Sequence, residues 1–224
     1  MDDSQQNETA LQEASEPVAA KAYRLLERMI VTLELAPGSL TTEGALLERL
    51  SLGRTPVREA IQRLAWEGLV TVRPRAGLEI APLHASDWLR VLDARRGVEV
   101  VLARSAARFL TDDLINDFQQ SAVVMHEAVV KNDVLEFLAA DKSLDEAMSR
   151  AADNPFATRL AAPLQTHSRR FWFRFQSGTG LAESAGIHVA LIRAILNRDE
   201  ETAGTEADRL MALLRLRAQA AAMR

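Results

Sequence analysis

Apolar residues begin to recur at three- and four-residue spacing at Val18. Ala22, Leu25, Leu26, Met29, Ile30 and Leu33 continue one stripe, which predicts an amphipathic helix ended by Pro37-Gly38. Thr41 or Thr42 offers a cap for a second, shorter helix with Leu46, Leu47 and Leu50 on its buried side, ending near Leu52-Gly53. A third helix is predicted from Thr55-Pro56, threonine as cap and proline at the first helical position, with Gly68 closing it. Two β-prone runs, Leu69–Val72 and Leu78–Ala81, flank Arg73-Pro74-Arg75-Ala76-Gly77 and read as a hairpin. Three helices and a hairpin in this order predict a winged helix-turn-helix over residues 17–84. Residues 1–16 are polar, acidic and aperiodic, and are expected to form a disordered tail.

After Pro82 the strand signals stop. Ser86 offers a cap for a long helix through Leu110, Thr111 or Asp112 starts another to Lys131, and Asp133 starts a third to Ala152. Asn154-Pro155 breaks the chain before a helix from Pro155 to Phe175. Past a predicted loop at Ser177-Gly178-Thr179-Gly180, two more helices cover Leu181–Asn197 and Asp199–Met223. Residues 85–224 therefore read as an all-α antiparallel helical bundle, which makes the fold class mostly α.

Composition narrows the function. No uncharged run reaches the eighteen or so residues of a membrane span, and the acidic N-terminus is unlike a secretory signal, so no membrane partner is expected and the cytoplasm is the expected location. The absence of cysteine excludes disulfides, thiolate catalysis and cysteine-based zinc sites. The net charge of −4 is uneven: residues 1–16 hold five acids and no base, whereas residues 17–85 hold nine Lys/Arg against seven Asp/Glu. Between Arg54 and Arg75 five arginines face two glutamates, so an acidic chain still offers a local cationic field to a polyanion.

On the third helix Val57, Ala60, Ile61 and Leu64 share the buried side, leaving Thr55, Arg58, Gln62 and Arg63 on the flank or the opposite face. Arginine near a helix start can grip guanine O6 and N7 with two bonds, and Thr and Gln can bond bases or phosphates. Arg73 and Arg75 add cations around Ala76-Gly77, a tip without bulk that can approach a backbone or minor groove. Singly, each arginine reads as a phosphate contact or a solvated charge rather than a base reader; together, on this spacing, they point to double-stranded DNA.

Leu50 to Val70, LSLGRTPVREAIQRLAWEGLV, resembles the recognition segment of the GntR family of bacterial transcription regulators, usually LGVSRTPVREAL followed by RLxxEGLV. IVTLELAPGSLTTE is similar to that family's opening, and RPRAGLEIAPL to its wing. The departures are Leu33 at the usual glycine, Thr41 at the usual leucine, and Ser51-Leu52-Gly53 where Gly-Val-Ser is common. The resemblance implies DNA contacts at Arg54, Thr55, Arg58 and the wing from Arg75 to Gly77.

The second domain resembles the FadR-like branch and its all-helical FCD ligand domain. Arg95-x-x-x-Glu99 is similar to its opening, Asp141-Lys-Ser-Leu-Asp145 with Asn154-Pro155 to its D-x-x-F-H and N-P, and His188 with Ala194-Ile195 and Asp199 to its H-x-x-I-x-x-A-I then D. In many members a metal sits in the bundle, held by the Asp and His of D-x-x-F-H and two later histidines. This chain keeps Asp141 and His188 but has Asp145 and Leu210 at the other two positions. Asp141 and Asp145 lie one helical turn apart, so two oxygens can still stand beside His188 as a reduced site for a divalent metal. The plainer alternative leaves Asp145 solvated or pairs it with a base such as Arg95 or Arg170, and leaves His188 an ordinary satisfied histidine.

Pro163 to Phe175, PLQTHSRRFWFRF, gathers aromatics and arginines. It reads either as core and dimer surface, or as a ligand wall where Arg170 or Arg174 grips a carboxylate and Trp172 or Phe171 covers an apolar part. Trp66 and Trp88 are expected at the domain junction. The resulting expectation is a ligand-responsive repressor, not an enzyme. It binds an inverted-repeat operator as a homodimer and takes a small organic acid at Arg95, Asp141, Asp145, Arg170 and His188. An all-α metal-dependent enzyme fused to a DNA-binding module, and an architectural DNA binder without effector, are the alternatives.

Overall fold

The computed structural model describes residues 16–176 and 180–223. Of the expected tail at residues 1–16, positions 1–15 lie outside the described residues, as do three of the four residues of the expected 177–180 loop, while Glu16 is described and pairs with Arg24 at 3.0 Å. The chain divides into two compact units, Met1–Leu83 and His84–Arg224.

In the first unit α1 (Val18–Val31) is followed by β1 (Leu40–Thr41), α2 (Glu43–Leu50), α3 (Arg54–Trp66), β2 (Val70–Arg73) and β3 (Gly77–Ile80). α1 stops well before Pro37. Leu33 enters the left-handed region at φ 61°, and the Leu35 N–H turns back to the Met29 carbonyl at 3.0 Å, which carries the Leu35 side chain into the core. That core joins Leu26 and Ile30 of α1 to Val57, Ile61 and Leu64 of α3 and to Leu78 and Ile80 of β3. Thr42 caps α2, accepting the Ala45 N–H at 3.1 Å. Thr55 is not the cap of α3: the helix begins one residue earlier behind Gly53, and Pro56 occupies the first turn, where its missing N–H would have had no partner.

The hairpin carries a third strand that the periodicity did not reveal. β1 pairs antiparallel with β3, Leu40 opposite Glu79, giving the order β1-β3-β2. The strand is too short for a period-two pattern and is held by its partner. At the tip, the Ala76 N–H reaches the Arg73 carbonyl at 3.1 Å across Pro74 and Arg75, with Arg75 at φ 64°.

The second unit contains α4 (Ala85–Phe109), a 3₁₀ turn (Asp112–Leu114), α5 (Ile115–Lys131), α6 (Val134–Ala151), α7 (Pro155–Phe175), α8 (Gly180–Leu196) and α9 (Glu200–Ala222). Asp133, Asn154 and Asp199 cap α6, α7 and α9 by accepting N–H groups of the first turn. The expected cap at Ser86 is not used, since α4 starts at Ala85 behind His84. α4 is the central helix, packed on α6, α7, α8 and α9. Its buried stripe runs Trp88, Leu92, Arg95, Glu99, Leu102 and Ala106, a helical repeat interrupted by one ion pair. Trp88 belongs to this unit's own core, stacked on Phe171 and Phe175 at 6.1 and 6.2 Å, while Trp66 is 90% exposed.

Candidate nucleic-acid interface and bundle site

Burying Val57, Ala60, Ile61 and Leu64 turns the opposite side of α3 to solvent, and Arg54, Thr55, Arg58 and Gln62 are all exposed there. Arg58 makes a two-bond pair with Glu43 of α2, at 2.9 and 3.2 Å. Arg63 is drawn elsewhere: its guanidinium covers the Tyr23 ring at 3.6 Å and bonds Glu67, which also accepts the Tyr23 hydroxyl at 2.6 Å. On the hairpin Arg73 pairs with Glu79 at 2.5 Å, and Arg75 at the tip is exposed. Gly77 is half-buried at φ 98°, and a side chain there would press to 2.5 Å from the Thr41 carbonyl. The smoothness expected to serve DNA is thus required by the protein's own β1 strand.

In the bundle four of the five effector residues singled out by sequence, Arg95, Asp141, Asp145 and His188, meet around Glu99, together with Gln165 and Arg169, which the sequence reading did not single out. Arg95 of α4 donates to Glu99 at 2.6 Å and lies 3.7 Å from Asp145 of α6. Gln165 of α7 donates to the same Glu99 oxygen at 2.9 Å. Asp145 receives Arg169 of α7 at 2.5 Å, and the same Arg169 nitrogen is 3.4 Å from Asp141. His188 of α8 completes the group, with Nε2 at 3.0 Å from Asp141 and Nδ1 at 2.7 Å from the Ser184 carbonyl. All six charged residues are buried. Arg170 is buried as well, which lowers it to about 10, but its neighbour Arg169 is the one that lines the cavity. Arg174 is exposed, beside the Phe175 ring.

Both nitrogens of His188 face acceptors, so the ring is held with two protons as an imidazolium. Burial works against that charge, but the Asp141 hydrogen bond and carboxylate raise His188 above its ordinary value. Asp141 is lowered in turn: burial opposes the shift, and the bond and charge of His188, with Arg169 and Arg95, outweigh it. Asp145 goes the other way, pushed up to about 7 by burial and the neighbouring Asp141 against the pull of Arg95 and Arg169. Arg95 stays charged, since Glu99, Asp145 and Asp141 overcome its burial. The cluster encloses a cavity of about 20 Å³, bounded also by Phe137, Trp172 and Leu210, the space of one or two waters. Trp172 stacks on Phe137 at 5.3 Å and forms one wall, so the aromatic segment serves core and cavity together.

The expected divalent-metal set, Asp141, Asp145 and His188, does not fit an ion. Among the described residues no group of three or more His, Asp and Glu side chains is arranged to hold a metal. His188 Nε2 is turned to Asp141, Leu210 offers no donor, and a guanidinium stands against both carboxylates. Arg169 had a sequence signal: Ala161, Gln165, Ser168, Arg169 and Trp172 lie on one helical stripe, all buried. A polar run on a core stripe marks a buried network as readily as a surface.

The FCD domain family matches residues 90–213, and the family described as bacterial regulatory proteins, gntR family, matches residues 18–80. The chain belongs to the GntR family and carries an FCD domain. It is 28% identical over 139 residues to the HTH-type transcriptional repressor RspR of Escherichia coli, a stretch covering 62% of this chain and 61% of that one. It therefore spans less than two thirds of that relative. It is 26% identical over 181 residues to the probable D-xylose utilization operon transcriptional repressor of Paenarthrobacter nicotinovorans, covering 79% of this chain and 80% of the relative. Among solved structures, McbR/YncC of Escherichia coli shares the fold with a TM-score of 0.75 at 18% identity, covering 90% of this chain and 98% of that one. Within the GntR frame, two departures now have a backbone meaning. Leu33 and Ser51 replace usual glycines and both sit at positive φ, 61° and 52°. GntR regulators bind DNA operators and FCD domains bind small ligands; among the described residues no helix is long and apolar enough to cross a membrane.

Proposed function

We propose that this GntR regulator is a ligand-responsive transcriptional repressor that binds an inverted-repeat operator as a homodimer, with a small organic acid as effector. The observation that carries it is the outer side of α3, where Arg54, Thr55, Arg58 and Gln62 stand exposed on a unit that also presents Arg73 and Arg75. Arg54 and Arg58 sit in the first two turns, within reach of base edges when the helix enters a major groove. One such helix per chain reads one half-site, and a two-fold pair reads an inverted repeat. The names of relatives, repressors of D-xylose and gluconate operons among them, support repression as the sign of control.

The effector reading rests on the only buried cationic groups that line the bundle cavity among the described residues, Arg95, Arg169 and His188. At about 20 Å³ the cavity is too small for an organic acid, so binding requires the bundle to open. That requirement supplies the differential affinity between two states on which control of DNA binding depends. Selection of bound sequences from random duplexes tests the operator: two symmetric half-sites are expected, and sequences without symmetry would refute the dimeric reading. A thermal-shift screen of small acids tests the effector, since a ligand of the folded state raises the melting temperature.

A further inference from the structure

The place where an FCD bundle would hold a cation already holds one that belongs to the chain. Arg169 bridges Asp141 and Asp145 from α7, and its other terminal nitrogen is tied to Thr166 at 3.3 Å. His188 uses Nε2, the nitrogen that would coordinate, on Asp141. Counting the group as ionised, Glu99, Asp141 and Asp145 give three negative charges against three positive ones on Arg95, Arg169 and His188. A divalent ion added to this balanced set would bring two uncompensated charges into a site with almost no solvent.

We infer that the Arg169 guanidinium, with the His188 imidazolium, takes the place of the metal, so that this FCD domain folds and works without one. The change is matched on both sides. A histidine ligand would repel a guanidinium, whereas Asp145 accepts it, and the loss of the last nitrogen donor at Leu210 costs nothing once no ion has to be held. Asp145, gripped by Arg169 and near Arg95, then stands where a carboxylate ligand would meet the two guanidiniums. The inference concerns the bundle alone, so failure of operator binding would leave it untouched.

The test uses the full chain purified without chelator. Elemental analysis is expected to find zinc, manganese, nickel and iron well below one atom per chain. EDTA, zinc chloride or manganese chloride should move the melting temperature by no more than about 1 °C. Arg169→Ala leaves Asp141 and Asp145 facing a gap, and manganese or zinc should now raise its melting temperature by about 5 °C or more with one-to-one binding by calorimetry. Recovery of that variant only when the ion is present during refolding would count the same way. Arg169→Lys restores a cation and should stay as metal-blind as the parent. Stoichiometric metal in the parent, a fall in its melting temperature on EDTA, a folded Arg169→Ala that no divalent ion stabilises, or a metal-responsive Arg169→Lys would each overturn the inference. If Arg169→Ala folds under no condition, the parent and the lysine variant decide it.

Discussion

Both units of the chain are rich in arginine, and they use the same side chain in opposite settings. Arg58 and Glu43 in the winged unit are 55% and 32% exposed, whereas Arg95 and Glu99 in the bundle are 4% and 3% exposed. An exposed pair is worth about 0.2–1 kcal/mol and can be exchanged for another anion at little cost. A buried pair adds little net stability when whole, but breaking it strands a charge away from water. The acids beside the α3 and hairpin arginines therefore act as replaceable partners that a phosphate can displace. The acids of the bundle are fixed, and a ligand reaching them must reorganise the whole cluster. The comparison separates a surface whose charges can exchange partners singly from an interior whose charges can move only together.

The sharpest way to break this contrast is to delete one cation from each unit. Arg95→Ala strands Glu99 and loosens Asp145, and urea unfolding should show a loss of about 3–5 kcal/mol. Operator affinity of the molecules that remain folded should be unchanged. A loss below about 1 kcal/mol would mean that the bundle charges are no more fixed than surface ones.

Acidity probes the bundle without mutation. Asp145, raised from 3.8 to about 7, and His188, also raised, hold more protons folded than unfolded. Their contributions are complete below the unfolded values and are lost as pH rises, from about 4 to 7 for Asp145 and above about 6.5 for His188. Asp141 is lowered and acts only at the acid end, where stability falls as pH drops. Melting curves from about pH 5.5 to 8.5 should show stability falling with pH, and Asp145→Asn should flatten the slope. A parent curve that rises over this range would contradict the assigned charges.

Arg58→Ala is expected to weaken operator binding by about 1–3 kcal/mol and relax preference at one base position, with melting unchanged. Arg75→Ala at the hairpin tip should weaken all sequences alike and lower the salt slope by about one unit, as a phosphate contact does. Titration by fluorescence anisotropy at several salt concentrations separates the two. The smallest effect is one of backbone: Ser51→Gly relieves an exposed left-handed residue and should raise stability by about 1 kcal/mol in urea melts.

The sequence by itself determined the succession of helices, the hairpin and the division into a winged unit and a bundle, because apolar periodicity and turn residues are local signals. It also determined which face of α3 is polar, since burial of Val57, Ala60, Ile61 and Leu64 leaves Arg54, Arg58 and Gln62 no other side. Only the tertiary structure decided what these charges touch. β1 exists because β3 offers it a partner, and Gly77 is small because β1 passes it. Arg169 and Arg170 are adjacent in sequence and equally cationic, yet a helical rotation of about 100° per residue brings only Arg169 between the two aspartates. Ion pairing depends on distance through space across α4, α6, α7 and α8, and a one-dimensional pattern carries the residue types of such a network without its partners.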